Sequence, residues 1–392
     1  MQALVEWTEN DCPRQARWQS ERGSPPPKRV MVVDDRLSAD EAYGAACQGV
    51  GLLWRGDFHN ARQLLSALAS RADRAGRKPG KTRPANDPAS LAAAFHLQRQ
   101  ARSQRARTLG QLLIEVDEHY RIELRRAPDI RAACEEAFGA AGGGSMLISL
   151  RELLGIIGAH EWRRNGIDIP AAGGRIHPHY GVFAPTRGEY IDLVAKAPLP
   201  AAMKHNDLAF DIGTGTGVLS AVLARRGVGR VLATDQDQRA LACARENLAR
   251  LGLAARVAVE EADLFPAGRA ALIVCNPPWV PARPSSPLEH AVYDPDSRML
   301  WGFLRGLAEH LVPGGEGWLI LSDLAEHLGL RSRAELLAAF AAAGLEVAGR
   351  IDIRPRHPRA SDDSDPLHAA RKREVTSLWR LRVCGIDRDS SA

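Results

Sequence analysis

The chain lacks a long hydrophobic run. None of its 392 residues falls in a stretch of about 18 consecutive apolar residues, the length that a helix needs to cross a bilayer. We therefore expect no membrane span. The first ten residues, MQALVEWTEN, are polar and acidic, which argues against a secretory signal peptide. Both absences favour a cytoplasmic protein.

Paired cysteines are also missing. The six cysteines are scattered, with no C-x-x-C pair among them: Cys12, Cys47, Cys134, Cys243, Cys275 and Cys384. This spacing is typical of reduced thiols in a cytoplasm, and it excludes a disulfide framework or a zinc site built on cysteine pairs. Because no cluster of histidine and cysteine ligands lies near the motifs described below, we expect no metal site.

A dinucleotide-binding fingerprint is the third absence. The sequence GTGTG supplies Gly213, Gly215 and Gly217, but a G-x-G-x-x-G motif needs its third glycine three residues after the second. Counting from Gly213 that position is Val218, and counting from Gly215 it is Ser220. The loop therefore does not fit a nicotinamide or flavin dinucleotide.

What the chain does contain is ordinary for a globular protein, with 45% apolar and 25% charged residues and a length suited to two or three domains. The net charge of +5 is unevenly placed. Residues 55 to 107 hold twelve arginines and lysines against three aspartates, a net charge of +9. Such a segment either steers an acidic partner such as nucleic acid or forms a solvated loop and helix face.

The chain divides by pattern into four parts. Residues 1–35, with the sequence SPPPKR, are expected to be a flexible arm, and residues 36–165 a helical N-terminal domain. Residues 166–206 are expected to connect this domain to residues 207–392. The helices predicted in the N-terminal domain cover 38–75, 90–126, 130–138 and 146–164, from the helical spacing of their apolar residues.

After residue 207, strand and helix patterns alternate. The predicted strands are 208–212, 230–234, 256–260, 271–275, 317–322, 345–352 and 376–384, and the predicted helices are 217–226, 237–251, 297–312 and 332–343. Alternation of this kind predicts an α/β fold with a doubly wound, mostly parallel, seven-stranded sheet. Ligands of such sheets bind at the carboxyl ends of the strands.

Motifs follow four successive strands. The spacing D-x-G-x-G-x-G, beginning at Asp211, resembles motif I of class I S-adenosylmethionine (SAM) methyltransferases. About 20 residues later Asp235 ends the next strand, where an acid accepts hydrogen bonds from ribose hydroxyls. Asp263 ends the third strand, and NPPW follows the fourth. The resemblance implies a Rossmann-like methyltransferase fold with SAM as cofactor.

The resemblance also implies which residues hold the cofactor. In this family the acid before the loop orients the methionine amino group, and the acid after the third strand holds the adenine amino group. The residues that match are Asp211, Gly213, Thr214, Gly215, Gly217, Asp235, Asp263, Leu264 and Asn276.

The chemistry of Asn276-Pro277-Pro278-Trp279 suits a planar nitrogen. Methylating such a nitrogen is difficult because its lone pair is delocalised. The side-chain carbonyl of Asn276 and the backbone carbonyl of Pro277 can each accept one N–H group, and consecutive prolines preorganise that carbonyl. Trp279 offers a flat face for stacking. We therefore interpret these four residues as the catalytic motif.

The signature [N/D]PP[Y/F/W] resembles amino-nitrogen methyltransferases. One branch of them acts on a glutamine side chain of peptide-chain release factors or of a ribosomal protein, and another on exocyclic amines of nucleic-acid bases. The form with asparagine in first place occurs in the glutamine branch and in several RNA branches, whereas the aspartate form is more typical of DNA enzymes.

A second segment is similar to the release-factor glutamine methyltransferases. In that family P-R-P-E-T-E precedes the SAM loop and helps to close the site. Here Pro185-Thr186-Arg187-Gly188-Glu189-Tyr190 has similar content, with the arginine displaced by one position and the second glutamate missing. The similarity implies that Thr186, Arg187 and Glu189 close the site or contact the substrate. It covers roughly residues 175 to 325.

These observations predict a SAM-dependent N-methyltransferase, with a glutamine side chain of a release factor or ribosomal protein as the leading acceptor. Two alternatives remain open. The acceptor can be an exocyclic amine of an rRNA or tRNA base, with the +9 segment contacting phosphates, or the protein can bind SAM without transferring its methyl group.

Overall fold

A computed structural model describes residues 3–76, 87–186, 188–284, 289, 291–355 and 365–385. The chain forms two compact units. The first comprises Met1–Arg83 and His96–Glu161, and the second Pro84–Phe95 and Trp162–Ala392. No helix within the described ranges is long and apolar enough to cross a membrane.

The first unit contains a six-stranded sheet in the order β1-β2-β6-β5-β4-β3. Its strands are β1 (Leu4–Glu9), β2 (Cys12–Gln19), β3 (Arg29–Val33), β4 (Val50–Trp54), β5 (Leu112–Val116) and β6 (Met146–Ser149). The helices of this part of the chain are α1 (Ala39–Cys47), α2 (Phe58–Gly76), α3 (Pro88–Leu109), α4 (Arg131–Phe138) and α5 (Leu150–Asn165), of which α3 and α5 continue into the second unit.

The prediction of a flexible arm over residues 1–35 is wrong. Strands β1 and β2 pair in antiparallel register, and Val5, Trp7 and Ala16 are buried in the core of the sheet. The alternation of Val5 and Trp7 with polar residues is the period-two pattern of a strand with one buried face. The prolines that suggested an arm fall only in the loop between β2 and β3.

The prediction of a helical domain over residues 36–165 is also wrong. Strands β4, β5 and β6 interrupt the predicted helices, and each is a run of four or five residues that is almost wholly buried. Strands buried on both faces show no alternation, so periodicity cannot distinguish them from a buried helix segment. The predicted helix 130–138 agrees with α4.

The second unit contains a seven-stranded sheet. Two short strands precede it, β7 (Ile167–Ile169) and β8 (Gly174–Ile176), and its own strands are β9 (Leu208–Ile212), β10 (Arg230–Asp235), β11 (Val257–Glu261), β12 (Ala270–Cys275), β13 (Leu311–Ser322), β14 (Leu345–Ile353) and β15 (Thr376–Val383). The helices are α6 (Glu189–Lys196), α7 (Val218–Arg225), α8 (Gln238–Arg250), α9 (Arg298–His310), α10 (Leu324–His327), α11 (Arg333–Ala342) and α12 (His368–Arg373).

The predicted doubly wound sheet is confirmed. Its strand order is β11-β10-β9-β12-β13-β15-β14. The first five strands are parallel, and β15 pairs antiparallel with both of its neighbours. One apolar core lies on each face of the sheet. The segment predicted as a connection, residues 166–206, belongs to this unit and supplies β7, β8 and α6.

The parallel register brings the predicted motifs to one edge. Ile212, the last residue of β9, pairs with Thr234 of β10 on one side and with Cys275 of β12 on the other. The loops that leave β9, β10 and β12 therefore start side by side at the carboxyl edge of the sheet, where ligands bind in folds of this class.

Candidate functional site

The loop after β9 contains three glycines with positive φ angles. Gly213, Gly215 and Gly217 have φ angles of 72°, 55° and 79°, values that favour residues without a Cβ. The amides of Gly213 and Thr214 both donate to the carbonyl of Thr234, at 2.9 Å each. A Cβ on Gly215 would meet no atom within 4 Å, so the space beside that residue is open.

Asp211 ties the start of this loop to helix α7. The carboxylate is fully buried, and its Oδ2 accepts from Thr214 Oγ1 at 2.7 Å, Ser220 N at 3.0 Å and Ser220 Oγ at 2.6 Å. Burial raises the pKa of Asp211, while the hydrogen bonds from Ser220 and Thr214 oppose that rise. Because no described residue donates to Oδ1, this oxygen is left for a ligand donor.

Asp235, at the end of β10, is joined to the same loop. Its Oδ2 accepts the Gly215 N–H at 3.0 Å, and its Oδ1 accepts the Asp237 N–H at the same distance. Burial raises its pKa, against the hydrogen bonds from Asp237 and Gly215. Each carboxylate oxygen retains acceptor capacity, so the side chain can still receive two hydroxyl donors.

Gly217 serves packing. A Cβ at this position would lie 3.2 Å from Ala244 Cα and 3.3 Å from Ala244 Cβ, so the glycine allows the backbones at the start of α7 and in α8 to approach closely. Three glycines are predicted to touch the cofactor. For Gly217, the packing against Ala244 explains the need for glycine without any ligand.

We expect Gly217→Ala to lower the free energy of unfolding by about 2–3 kcal/mol, because the new Cβ meets both positive φ and the Ala244 backbone. Gly227→Ala is the matched control, since Gly227 has a φ of 93° with no atom within 4 Å of the added Cβ. Urea unfolding of both variants measures the difference; equal losses would mean that the contact with Ala244 contributes nothing.

The third predicted acid, Asp263, lies at the surface of the protein. Asp263 is exposed and forms an ion pair with Arg298 at 3.0 Å, and it also accepts a hydrogen bond from the side chain of Gln236. The next residue, Leu264, has a φ of 75°, and its carbonyl accepts from Thr234 Oγ1 at 2.6 Å. Both residues therefore lie next to the end of β10, at the carboxyl edge of the sheet. Their roles toward adenine stay predictions.

The motif NPPW leaves the sheet at the end of β12, directly after the residue that pairs with Ile212. Pro277 is buried, whereas Asn276, Pro278 and Trp279 are half-buried. The indole N–H of Trp279 donates to Asn276 Oδ1 at 2.9 Å. The motif thus begins next to the glycine loop, and the bond between its first and last side chains was not expected from the sequence.

An apolar cluster that the sequence did not reveal follows the motif. Val280 packs in it with Leu328 and Leu367, and Trp279 is partly buried against it. Phe95 of helix α3 belongs to the same cluster, and the start of α3 up to Phe95 is part of the second unit. No signal in the sequence places Phe95 beside Val280, since the two are far apart along the chain and no motif joins them.

The turn before α9 was missed as well. The Asp294 carboxylate accepts the Met299 N–H at 2.7 Å and so caps α9, while Asp296 and Ser297 have positive φ angles. Arg331 is 5% exposed, and its Nη1 lies 3.5 Å from Ser297 Oγ. Within the described ranges its Nε and Nη2 have no hydrogen-bond partner.

The segment predicted to close the site leads into α6. Thr186 is exposed and Glu189 is the first residue of α6, whereas Arg187 lies outside the described residues. Tyr190 is buried, and its pKa is raised by that burial and by the charge of Asp211. The start of α6 therefore lies close to the glycine loop, and site closure by the three predicted residues stays a prediction.

Asn247 of α8 joins two parts of this unit. Its Oδ1 accepts the His177 N–H at 2.8 Å, and its Nδ2 donates to the Thr216 carbonyl in the glycine loop at 3.0 Å. Next to it, Glu246 bonds to His179 at 2.7 Å and forms ion pairs with Arg163 and Arg250. These contacts fix the segment before α6 to the helix that supports the loop.

Burial alone would raise the pKa of Glu246, but hydrogen bonds from Arg250 and His179 and the charge of Arg163 lower it to about 2. A lowered pKa stabilises the fold above the unfolded value of about 4.3, and this contribution is lost as pH falls toward 2. We expect Glu246→Gln to cost about 1–2 kcal/mol at pH 7, after allowance for solvent screening, and much less at pH 3. Urea unfolding at both pH values, with exposed Glu260→Gln as control, checks this.

The donor set fits SAM. Within the described residues there is no group of three or more histidine, cysteine or acidic side chains that could hold a metal ion. Asp211 Oδ1 can accept from an ammonium group, Asp235 from ribose hydroxyls, and the open space beside Gly215 leaves room for a ligand close to the backbone. Asp211, Asp235 and the loop between them would therefore hold the cofactor.

The family model of the methyltransferase small domain matches residues 173–342. The release factor glutamine methyltransferase of Cereibacter sphaeroides is 34% identical over 160 residues, which cover 37% of this chain and 56% of that protein. The ribosomal protein L11 methyltransferase of Pelotomaculum thermopropionicum is 45% identical over 69 residues, covering 17% and 22%. The ribosomal RNA small subunit methyltransferase C of Sodalis glossinidius is 36% identical over 107 residues, covering 27% and 28%.

The chain thus spans little more than half the length of the first of these relatives, and less of the other two. The matched region begins at the short strand β8 and ends in α11, so it contains the glycine loop, both acids and NPPW. Residues 173–342 thus match the methyltransferase small domain, and within this part of the chain the sequence is similar to curated methyltransferases.

Proposed function

We propose that this protein transfers a methyl group from SAM to a planar nitrogen, and that the acceptor is a glutamine side chain of a protein. The observation that carries the proposal is the adjacency of Asn276 and Gly213. Each follows directly after one of two paired residues, Cys275 and Ile212, on neighbouring strands. A group held by Asn276 would therefore lie beside a cofactor held by the glycine loop.

SAM supplies an electrophilic methyl group on a sulfonium. In the transfer the bond between methyl carbon and sulfur breaks, sulfur keeps the electron pair as S-adenosylhomocysteine forms, and the nitrogen lone pair makes the new bond. The amide nitrogen then loses one proton to solvent. The protein's task is to hold the nitrogen in line: Asn276 and the carbonyl of Pro277 accept its N–H groups, and Trp279 stacks on its plane.

A glutamine acceptor is favoured over other planar nitrogens by two features. The relatives named above include a release factor glutamine methyltransferase, and residues 185–190 are similar to the site-closing segment of that family. On this proposal the acceptor is a release factor or a ribosomal protein, and the enzyme works in the cytoplasm, where the six cysteines, all free thiols, stay reduced.

An RNA base is the second candidate, because one relative is a ribosomal RNA methyltransferase and residues 55–107 carry the +9 excess. Part of that excess is neutralised within the fold. Arg71 pairs with Asp40 at 2.6 Å, and Arg55 pairs with Glu9 and Glu115 at 2.7 Å. All three acids lie outside residues 55–107, so they were not counted in the net charge of +9. Less positive charge is therefore left for phosphates than the sequence suggests.

The test is label transfer from SAM with a radioactive methyl group to a lysate of cells that lack this protein. We expect label that survives RNase and disappears with protease, and digestion to single residues should yield N-methylglutamine. Label removed by RNase would support the RNA base instead, and its incorporation should then fall steeply with salt. Binding of SAM without any labelled product would leave the protein as a SAM-binding protein.

A further inference from the structure

Arg331, in the loop between α10 and α11, is a buried cation whose charge is not paired. Within the described part of the chain its Nε and Nη2 are covered and form no hydrogen bond. The third nitrogen, Nη1, lies 3.5 Å from Ser297 Oγ, a distance at the limit of a hydrogen bond. A guanidinium stays protonated in proteins, and an uncompensated buried charge is strongly destabilising. The fold therefore carries a cost here that an anionic ligand would remove.

The unpaired edge of Arg331 is the edge that binds carboxylates elsewhere in this chain. Nε and Nη2 of Arg55 donate to the two oxygens of Glu9 at 2.7 Å each. The same two atoms of Arg380 donate to Glu316 at 2.8 and 2.6 Å. Two parallel N–H groups of this kind match the two oxygens of a carboxylate. Arg331 offers this edge with no described residue bound to it.

The acids around Arg331 are engaged with other groups. Burial lowers its pKa, and the negative charges of Glu326, Glu335 and Asp294 oppose that change. The carboxylate of Asp294 caps α9, and that of Glu335 belongs to the capping box of α11. Glu326 is paired with Arg333 at 2.8 Å. With three acids nearby, a phosphate dianion would meet more repulsion than a carboxylate, which carries a single charge.

The turn that contacts Arg331 also touches both parts of the candidate site. At its start, the Asp294 N–H donates to the carbonyl of Val280 at 3.0 Å, and Val280 is the residue that follows NPPW. Just after the turn, the methyl group of Met299 occupies the place that a Cβ on Gly213 would need. A ligand that pairs with Arg331 would therefore lie close to the acceptor motif and to the glycine loop.

We propose that Arg331 forms a carboxylate-binding site beside the methyl-transfer site, with one ligand oxygen on Nε and the other on Nη2. Two molecules can supply this carboxylate: SAM, through its methionine part, or the acceptor protein, through an acidic side chain. The second source rests on the proposed function. Because both nitrogens are covered, a neighbouring group has to move as the ligand enters. The turn at Asp296 and Ser297 is suited to move, since both residues hold strained, left-handed φ angles.

Replacement of Arg331 by methionine distinguishes a ligand-binding cation from a structural one. Methionine keeps an unbranched side chain and removes an unpaired charge, so the urea midpoint of the ligand-free variant should equal or exceed that of the wild type. Arg380→Met is the matched control, because Arg380 uses the same edge to pair with Glu316, and its midpoint should fall. A loss in Arg331→Met as large as that in Arg380→Met would assign Arg331 a structural role and overturn the proposal.

Binding of SAM and of decarboxylated SAM, followed by calorimetry, tests the first source. If the carboxylate of SAM is the ligand, Arg331→Met should raise the Kd of SAM by about tenfold or more and that of decarboxylated SAM by about twofold or less. Arg331→Lys keeps the charge but loses the paired N–H groups, so it should restore only part of the affinity. Equal weakening of both ligands would mean that the cofactor site as a whole is disturbed, and would overturn the proposal.

Methyl incorporation at saturating SAM, with increasing amounts of RNase-treated lysate protein, tests the second source. An acceptor carboxylate predicts that Arg331→Met raises the apparent KM for lysate protein by about tenfold or more and changes the saturated rate by about twofold or less. An unchanged Kd of SAM together with an unchanged KM would overturn the site, whatever the saturated rate. If the wild type labels no protein, the proposed function is wrong, and the two cofactor affinities then decide on the site by themselves.

Discussion

Replacement of Asn276 by alanine is expected to abolish methyl transfer while leaving the binding of SAM nearly intact. Asn276 follows β12, whereas the two acids that would hold the cofactor lie on β9 and β10, and the side chain of Asn276 is hydrogen-bonded to Trp279. Loss of a preorganised group that holds the reacting nitrogen typically costs about 100- to 1,000-fold in rate. Single-turnover transfer of labelled methyl, with SAM in excess, measures the effect.

The control for this variant is Asn206→Ala. The side chain of Asn206 accepts a hydrogen bond from the backbone, from Leu208 N at 3.0 Å, and Asn206 precedes β9, so it lies at the amino end of the strand, away from the predicted site. It should keep its activity within about twofold. If Asn276→Ala instead lost its affinity for SAM, with transfer unchanged at saturating SAM, the residue would be a cofactor ligand and its proposed role toward the acceptor would be wrong.

The second unit was predictable because each of its signals is local. Strand β9 has the predicted bounds, and α7 and α8 differ from theirs by one residue at each end. Gly213 and Asn276 follow β9 and β12, and Asp235 ends β10, all strands of the predicted doubly wound sheet. Alternating strands and helices of this length leave few ways to connect them, since parallel crossovers share one handedness, so a correct reading of the elements also orders the sheet edge.

The first unit was not predictable in the same way. Leu52, Leu53 and Trp54 form a strand without alternation, and such a run reads equally well as the apolar stripe of a helix. The prediction of a flexible arm over residues 1–35 was wrong for a different reason. Prolines near residue 25 dominated the composition of its window, although Val5 and Trp7 carried the alternating pattern of a strand.

Within the candidate site, the sequence points to residues with distinctive chemistry, whose roles stay predictions, and gives no signal for residues that are distinguished by their contacts. Asp211 and Asp235 stand out by their type and spacing. By contrast, Asn247 becomes informative only once its amide is seen to join His177 to Thr216. Arg331 lies in a stretch rich in charged residues, and nothing in the sequence marks it as 5% exposed. Burial and partners of this kind depend on distant parts of the chain, which local patterns do not encode.

The second large effect is expected for Asp235→Ala, which should weaken SAM binding by about 100-fold or more. Two charge-assisted hydrogen bonds from ribose hydroxyls would be lost, each worth about 1.5–3 kcal/mol. The Gly215 N–H, which now donates to Asp235 at 3.0 Å, would also lose its partner, so the loop would become less ordered around the cofactor. Equilibrium binding of SAM, followed by calorimetry, measures the loss.

Asp237→Ala is the matched control two residues away. Asp237 caps α8 by accepting the Arg239 N–H at 2.7 Å, so its removal should cost about 1 kcal/mol of stability but leave the Kd of SAM within about twofold. Because burial raises the pKa of Asp235, its charge is lost at a higher pH than that of an exposed aspartate. Wild-type affinity should therefore decline as pH falls toward that raised pKa, and the decline should be shallower in the Asp235→Ala variant, in which Asp211 is the only one of the two acids left to titrate. Equal pH dependence in both proteins would mean that Asp235 does not bind the ribose.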